Sequence, residues 1–119
     1  MSTTRVIADR KELADAELLS LAERDDEQAF AQIYDRHVAA VYRYALSIVN
    51  VAVDAEDVTQ EVFILAWTKA AEIRVVDRSL LPWLLTAARF TSLNRVRSRS
   101  RRREDSARDP RRPPLLPGS

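Results

Sequence analysis

The chain of 119 residues has no cysteine, a single histidine and a single glycine, Gly118. Without cysteine there is no disulfide framework, thiolate nucleophile or cysteine-ligated metal. No proline precedes Pro82, and neither an Asn-Gly turn nor a glycine-rich phosphate loop occurs, so β-hairpins and nucleotide-binding loops are disfavoured. The longest uncharged runs are ten residues, about half of a membrane span. We therefore expect a soluble α-helical protein without cofactor, metal centre or catalytic set.

Charge is divided sharply along the chain. Residues 1–73 carry 7 basic and 14 acidic side chains, whereas residues 74–119 carry 12 basic and 4 acidic ones. The two parts bear net charges of −7 and +8 within a total of +1. Such polarity favours one surface that binds an anion and a second surface for a different partner. A solvated acidic face followed by a disordered basic tail is the simpler alternative.

Apolar residues recur at steps of three and four along most of the chain, which predicts an all-α fold, a small bundle of about four helices. The first expected helix spans about Lys11–Arg24, and the second runs from a cap at Asp25 or Asp26 to near Asn50. The third runs from a cap at Asp54 to near Glu72, and the fourth from a cap at Ser79 as far as Arg103. Residues 1–24 would form an N-terminal segment with a short helix, and residues 25–105 the helical domain. Residues 106–119 are rich in proline and are predicted to be a linker or a disordered tail.

The last predicted helix is the most informative segment. Between Arg89 and Arg103 it has seven arginines and no acidic residue, and Trp83, Phe90 and Asn94 fall on one side of it. Arginine contacts phosphate, aromatic rings stack on unpaired bases and asparagine reads base edges, so this helix favours nucleic acid. Alternatively, Trp83 and Phe90 pack against neighbouring helices, and some of the arginines, which alternate around the helix, are solvated.

An acidic cluster occupies the start of the third predicted helix. Its carboxylates are Asp54, Glu56, Asp57 and Glu61. Gln60 and Glu61 lie beside Phe63 and Trp67, which combines a polar rim with apolar anchors and favours a protein docking surface. The carboxylates could instead serve only in helix capping and solvation. Their spacing does not match a calcium loop, so we expect no metal.

Three stretches resemble the region 2 domain of extracytoplasmic-function (ECF) sigma factors, and together they run from about Asp25 to Arg103. They read DDEQAFAQIYDRHVAAVYRYALSIV, DAEDVTQEVFILAW and LLPWLLTAARFTSLNRVRSRSRRR. The resemblance implies a small helical bundle, a non-enzymatic transcription initiation factor, a cytoplasmic location and an anti-sigma factor as a further partner. It also implies binding to core RNA polymerase and recognition and melting of the promoter minus-ten element.

The resemblance assigns roles to particular residues. The helix that docks on the clamp helices of the polymerase largest subunit would contribute Asp54, Asp57, Gln60, Glu61 and Phe63. The segment Glu72–Ser79, here named the connector, would capture a base flipped out of the non-template strand. Contacts to that strand would come from the connector and the last helix, through Arg74, Arg78, Ser79, Trp83, Arg89, Asn94, Arg95 and Arg97.

Two departures from the family pattern bear on these roles. Phe90 stands where family members commonly have asparagine, which changes the expected DNA contact there. The chain also stops at its proline-rich segment, where the family normally continues into a helix-turn-helix domain, so we expect an excised or truncated domain. A sigma-like module that binds an anti-sigma factor or polymerase without reading DNA is the alternative function, and a small helical enzyme is a third.

Overall fold

The computed structural model describes residues 13–75 and 78–108. Within them lie four α-helices, which are α1 (Asp15–Glu23), α2 (Glu27–Val49), α3 (Ala52–Thr68) and α4 (Leu81–Arg108), and a 3₁₀ turn at Ala70–Glu72. The prediction of an all-α fold with about four helices is confirmed. The predicted start of the first helix at Lys11 and most of the predicted linker or tail, residues 109–119, lie outside the described residues.

The core forms where α2, α3 and α4 pack against one another, with α1 covering α2 and the 3₁₀ turn. Every helix contributes fully buried side chains, and so does Leu80, directly before α4. The largest apolar ones in the helices are Leu18, Ile33, Val41, Val49, Val58, Val62 and Leu84. Burial of each such side chain stabilises the fold by about 1.5–3 kcal/mol before the entropy cost of folding. The apolar steps of three and four in the sequence therefore correspond to a core shared by all four helices.

Caps fix the ends of α2. Asp26, one of the two predicted caps, accepts a hydrogen bond from the Ala29 N–H at 3.1 Å. Asp25 instead adopts a left-handed backbone (φ 66°) in the turn between α1 and α2. At the other end Asn50 is left-handed (φ 60°), and its N–H bonds to the Leu46 carbonyl. Asparagine tolerates this conformation better than most residues, which explains why α2 ends there.

The prediction that Asp54 caps α3 is wrong. The capping position is Val51, which has no side-chain cap hydrogen bond, and Asp54 lies within the first turn of the helix. A carboxylate in that turn still interacts favourably with the positive end of the helix dipole. Asp54 is thereby on the same helix as the rest of the acidic cluster.

Helix α4 continues past its predicted end at Arg103, as far as Arg108. Its 28 residues span about 42 Å at 1.5 Å per residue. Its fully buried positions end at Ser92, and residues 100–104 are all exposed. The arginine-rich half therefore extends beyond the core. Among the described helices none is long and apolar enough to cross a membrane.

Candidate functional site

The acidic cluster of α3 faces the arginines of α4. One guanidinium, that of Arg95, lies among three carboxylates: 3.3 Å from Glu61, 3.5 Å from Asp57 and 3.7 Å from Asp54. Only the Glu61 contact is a hydrogen bond, in which Arg95 donates. The Arg95 side chain is 25 % exposed. The predicted polymerase-binding and DNA-binding residues thus meet in one ion-pair network, which we call the α3–α4 network.

Arg99 extends the α3–α4 network to a third helix. Its guanidinium lies 3.1 Å from the Asp54 carboxylate and donates a hydrogen bond to the Val49 carbonyl at 3.1 Å. The last carbonyls of a helix lack intrahelical partners, so this bond satisfies a group at the end of α2. Arg99 therefore stabilises the junction of α2, α3 and α4 and is not a freely available cation.

Other arginines of α4 point to solvent. Arg89, Arg97, Arg101 and Arg102 are all exposed. Arg97 donates to the Asn94 side chain at 3.3 Å, which holds these two predicted DNA-binding groups together. A polar cleft of about 470 Å³ between α3 and α4 is lined by Glu61, Thr91, Asn94, Arg95, Ser98 and Arg102. The exposed face of α4 can accept an anionic strand without breaking an ion pair of the network.

The two aromatic residues of α4 have different environments. Trp83 is partly buried and packs against the core, as the packing alternative predicts. The Phe90 side chain is 60 % exposed. An exposed ring among exposed cations is available for stacking on a base. Phe90 is absent from the residues assigned to DNA by the resemblance, because the family usually has asparagine there.

An apolar groove runs between α2 and α3. The rings of Phe30 and Trp67 pack edge-on with their centroids 5.0 Å apart, and those of Tyr34 and Phe63 do so at 4.8 Å. The groove has a volume of about 440 Å³ and is lined by Glu27, Phe30, Tyr34, Gln60, Phe63, Ile64 and Trp67. Phe63 is only 4 % exposed, so it forms the floor of the groove, whereas Ile64 is 62 % exposed. The sequence indicated Phe63 and Trp67 but gave no sign that α2 supplies the other wall.

The connector follows the 3₁₀ turn and leads into α4. Arg74 and Arg78 are exposed, and Arg78 has a left-handed backbone (φ 65°). The prediction that Ser79 caps the last helix is wrong by one position, because α4 begins at Leu81 and the Leu80 carbonyl accepts its first bond, from the Leu84 N–H. The Ser79 hydroxyl accepts a hydrogen bond from the Leu81 N–H at 3.1 Å. This bond occupies the Ser79 oxygen, while both arginines remain accessible.

A buried carboxylate that the sequence did not indicate lies behind the connector. Asp15 of α1 is 3 % exposed and accepts hydrogen bonds from the Leu80 N–H at 2.6 Å and from Arg36 at 3.0 Å. His37, the single histidine, lies 2.6 Å from the same carboxylate. Burial alone would raise the pKa of Asp15. The hydrogen bonds from Leu80, His37 and Arg36 outweigh burial and hold that pKa below its ordinary value of 3.8.

Metal binding finds no support in residues 13–75 and 78–108, where no group of three or more potential ligands is arranged to hold an ion. The carboxylates of the α3–α4 network have arginines as partners instead. What these surfaces offer is a set of non-covalent contacts: a basic helix with one exposed ring, an apolar groove with a polar rim, and a connector with two free arginines.

Comparison with known proteins identifies relatives of the segment that carries these surfaces. The family profile described as Sigma-70 region 2 matches residues 33–102, more than half of the chain. The ECF RNA polymerase sigma factor SigK of Mycobacterium bovis is 35 % identical over 72 residues, covering 60 % of this chain and 38 % of SigK. SigL of Mycobacterium tuberculosis is 39 % identical over 66 residues, covering 56 % of this chain and 37 % of SigL. The chain thus matches less than two-fifths of these relatives, and no solved structure matches it significantly.

Proposed function

The chain belongs to the sigma-70 region 2 family, and from this we propose that it acts in transcription initiation in the cytoplasm, by binding core RNA polymerase and the promoter minus-ten element. Polymerase would bind at the α2–α3 groove and the adjoining carboxylates of α3. The non-template strand, held single-stranded, would follow the connector and the exposed face of α4. This assignment uses a different surface for each partner, in line with the divided charge of the chain.

The exposed cations of α4 are the observation that carries the DNA part of the proposal. Arg89 and Arg97 are exposed, and the helix extends beyond the core, so a strand can approach them without displacing other helices. Phosphate contacts supply affinity, and Phe90 offers a stacking surface for one unpaired base. Extruding a base costs a few kcal/mol, which these contacts must offset.

A salt titration tests the DNA part. Binding of single-stranded oligonucleotides should weaken with salt at a slope of about −0.7 per phosphate neutralised. Arg89→Gln and Arg97→Gln should each make the slope shallower by about 0.7. Arg43→Gln is the matched control, because Arg43 is an exposed arginine of α2. A flat salt response of the unmodified chain, or equal effects of all three variants, would contradict strand binding along α4.

The polymerase part is supported by the composition of the groove. Its apolar wall ends at Gln60, which is exposed, and at Ile64, and this resembles the core and rim of a protein interface. Ile64→Ala and Gln60→Ala should weaken binding to core polymerase by about tenfold if they are central contacts. Glu17→Gln, an exposed position on α1, is the control. Unchanged binding of both groove variants would place the docking surface elsewhere.

An anti-sigma factor would be expected to compete for the same groove. The alternative function, a module that binds polymerase or an anti-sigma factor without reading DNA, makes a different prediction. It requires that Arg89→Gln and Arg97→Gln leave the effect of the chain on transcription unchanged, whereas Ile64→Ala weakens that effect. Run-off transcription with reconstituted polymerase separates the two functions.

A further inference from the structure

We propose that Asp15, together with α1, positions the two described ends of the connector, residues 72–75 and 78–79, for promoter recognition, although neither would contact DNA. This inference rests on the proposed function, since it concerns how the segment assigned to the flipped base is held. Asp15 lies outside residues 33–102, the part of the chain matched by the family profile. Its role therefore comes from the geometry around it and not from the resemblance.

One end of the connector is held by a direct bond from α1. The Asp15 carboxylate accepts the Leu80 N–H at 2.6 Å, and Leu80 directly follows the connector. Leu80 is fully buried, and its carbonyl accepts the Leu84 N–H in the first turn of α4. A single buried carboxylate thus fixes the point at which the connector ends and the helix begins. Hydrogen bonds to a charged group are among the stronger ones in proteins.

The other end of the connector also lies on α1. A cleft between them is lined by Ala16, Leu19, Ser20, Glu23, Ala70, Ala71, Ile73 and Val75. Leu19 and Ala70 are almost completely buried in this contact region. Helix α1 therefore contacts the chain on both sides of the connector's middle, at residues 70–75 and again at Leu80.

Asp15 is itself held by α2. Arg36 donates to one carboxylate oxygen at 3.0 Å, and His37 lies 2.6 Å from the other. These contacts leave the carboxylate little freedom to move, so the position of the Leu80 N–H is set by α2 through Asp15. A recognition segment whose ends are fixed before binding loses less entropy when it captures its ligand. Loss of Asp15 should therefore weaken recognition of the base more than contact with the phosphates.

The test compares Asp15→Asn with Glu17→Gln, which also neutralises a carboxylate on α1 but at an exposed position. The probe is a single-stranded 12-mer selected from a random library by the unmodified 119-residue chain. Each base in turn is replaced by an abasic site, and the affinity ratio of intact to abasic strand measures base recognition. For the unmodified chain we expect an affinity ratio of about ten or more at one position, which is the loss expected when one stacked base is removed.

Asp15→Asn should bring that ratio close to one while the slope of affinity against salt, which reports the arginines of α4, stays the same. Glu17→Gln should retain both. A merely structural role for Asp15 would lower the ratio and the slope together or leave both unchanged, and either result overturns the inference. If the unmodified chain shows no abasic effect at any position, the proposed function fails instead.

Asp15→Asn should also lower the stability of the fold, so a second variant keeps the inference testable. Leu19→Ala loosens the cleft at the other end of the connector without touching the carboxylate. It should also reduce the abasic ratio at an unchanged salt slope, under conditions where circular dichroism shows the helices intact. An unchanged ratio in the folded Leu19→Ala variant would overturn the view that α1 positions the connector.

Discussion

The α3–α4 network predicts that the carboxylates of α3 restrain DNA binding by the free chain. Arg95 is one of the residues that the family resemblance assigns to DNA, yet its guanidinium lies within 3.7 Å of three carboxylates. The perturbation is the triple variant Asp54→Asn, Asp57→Asn and Glu61→Gln. It removes these charges with little change in side-chain volume and should free Arg95 to contact a phosphate, whereas Arg99, which also loses Asp54, keeps its hydrogen bond to the Val49 carbonyl.

The size of the effect follows from the geometry. Only Glu61 is hydrogen-bonded to Arg95, and its side chain is 55 % exposed, so that pair is screened by solvent. Exposed ion pairs contribute about 0.2–1 kcal/mol each. Since Arg95 is three-quarters buried and has three such partners, we take their sum as about 1 kcal/mol. Removing that restraint raises strand affinity about fivefold, since 1.4 kcal/mol is about tenfold. One further phosphate contact adds about −0.7 to the salt slope.

Fluorescence anisotropy of a labelled single strand, titrated at several salt concentrations, measures both quantities. Neutralising three carboxylates raises the net charge wherever they lie, so the control is a second triple variant, Glu17→Gln, Asp25→Asn and Asp35→Asn, at exposed positions away from α3 and α4. Both triple variants should bind more tightly, but only the first should steepen the slope. Adding Arg95→Gln should reverse that steepening. Equal slopes for both triple variants would refute the idea that the network restrains Arg95.

Three further predictions concern stability. Asp15→Asn should lower the free energy of unfolding by about 2–4 kcal/mol near neutral pH, because it removes one partner of a buried ionic cluster. The pKa of Asp15 lies below its ordinary value of 3.8, so the ionised carboxylate stabilises the fold above that pH. This stabilisation is lost as the pH falls through the folded-state pKa. The free energies of unfolding from urea titrations at about pH 7 and about pH 2.5 should therefore differ less for the variant than for the unmodified chain. The Ser92 hydroxyl is buried without a hydrogen-bond partner, so Ser92→Ala should raise thermal stability by up to about 1 kcal/mol, and a clear loss would indicate a partner. Asn50→Ala should cost about 1–2 kcal/mol in a left-handed position, whereas Asn50→Gly should be close to neutral in the same denaturation assay.

The helices were largely predictable because their determinants are local. Apolar spacing indicates which face of a helix is buried, and the observed ends of α2 lie at the predicted cap Asp26 and at Asn50, next to its last residue Val49. The misassigned cap at Asp54 shows the limit of local reasoning. Asp54 lies inside α3 and within 3.7 Å of two arginines of α4, Arg95 and Arg99. The sequence pattern cannot distinguish a carboxylate that caps its own helix from one that pairs with a distant helix.

The site was predicted only in part, because its contacts join residues far apart in the chain. Charge counting separated an acidic and a basic segment, but 34 positions separate Glu61 from Arg95, and nothing local to either predicts that they meet. Asp15 was missed for the same reason: it is 65 positions from Leu80, and an aspartate at the start of a short helix is usually exposed. Sequence pattern predicts burial of apolar faces well and pairing of polar groups across helices poorly.

These polar contacts suggest why the surfaces proposed for polymerase and for DNA need not act independently. Asp57 and Glu61 are proposed to face polymerase while they also hold Arg95, so a basic surface of polymerase that binds these carboxylates would compete with that arginine. Binding of polymerase to these carboxylates would release Arg95 for DNA, and binding of DNA to Arg95 would release the carboxylates for polymerase. The two effects have the same free energy, since the coupling between two ligands is reciprocal. With about 1 kcal/mol available, polymerase would raise strand affinity by no more than about fivefold through this route. A larger enhancement on polymerase would have to come from contacts outside the α3–α4 network.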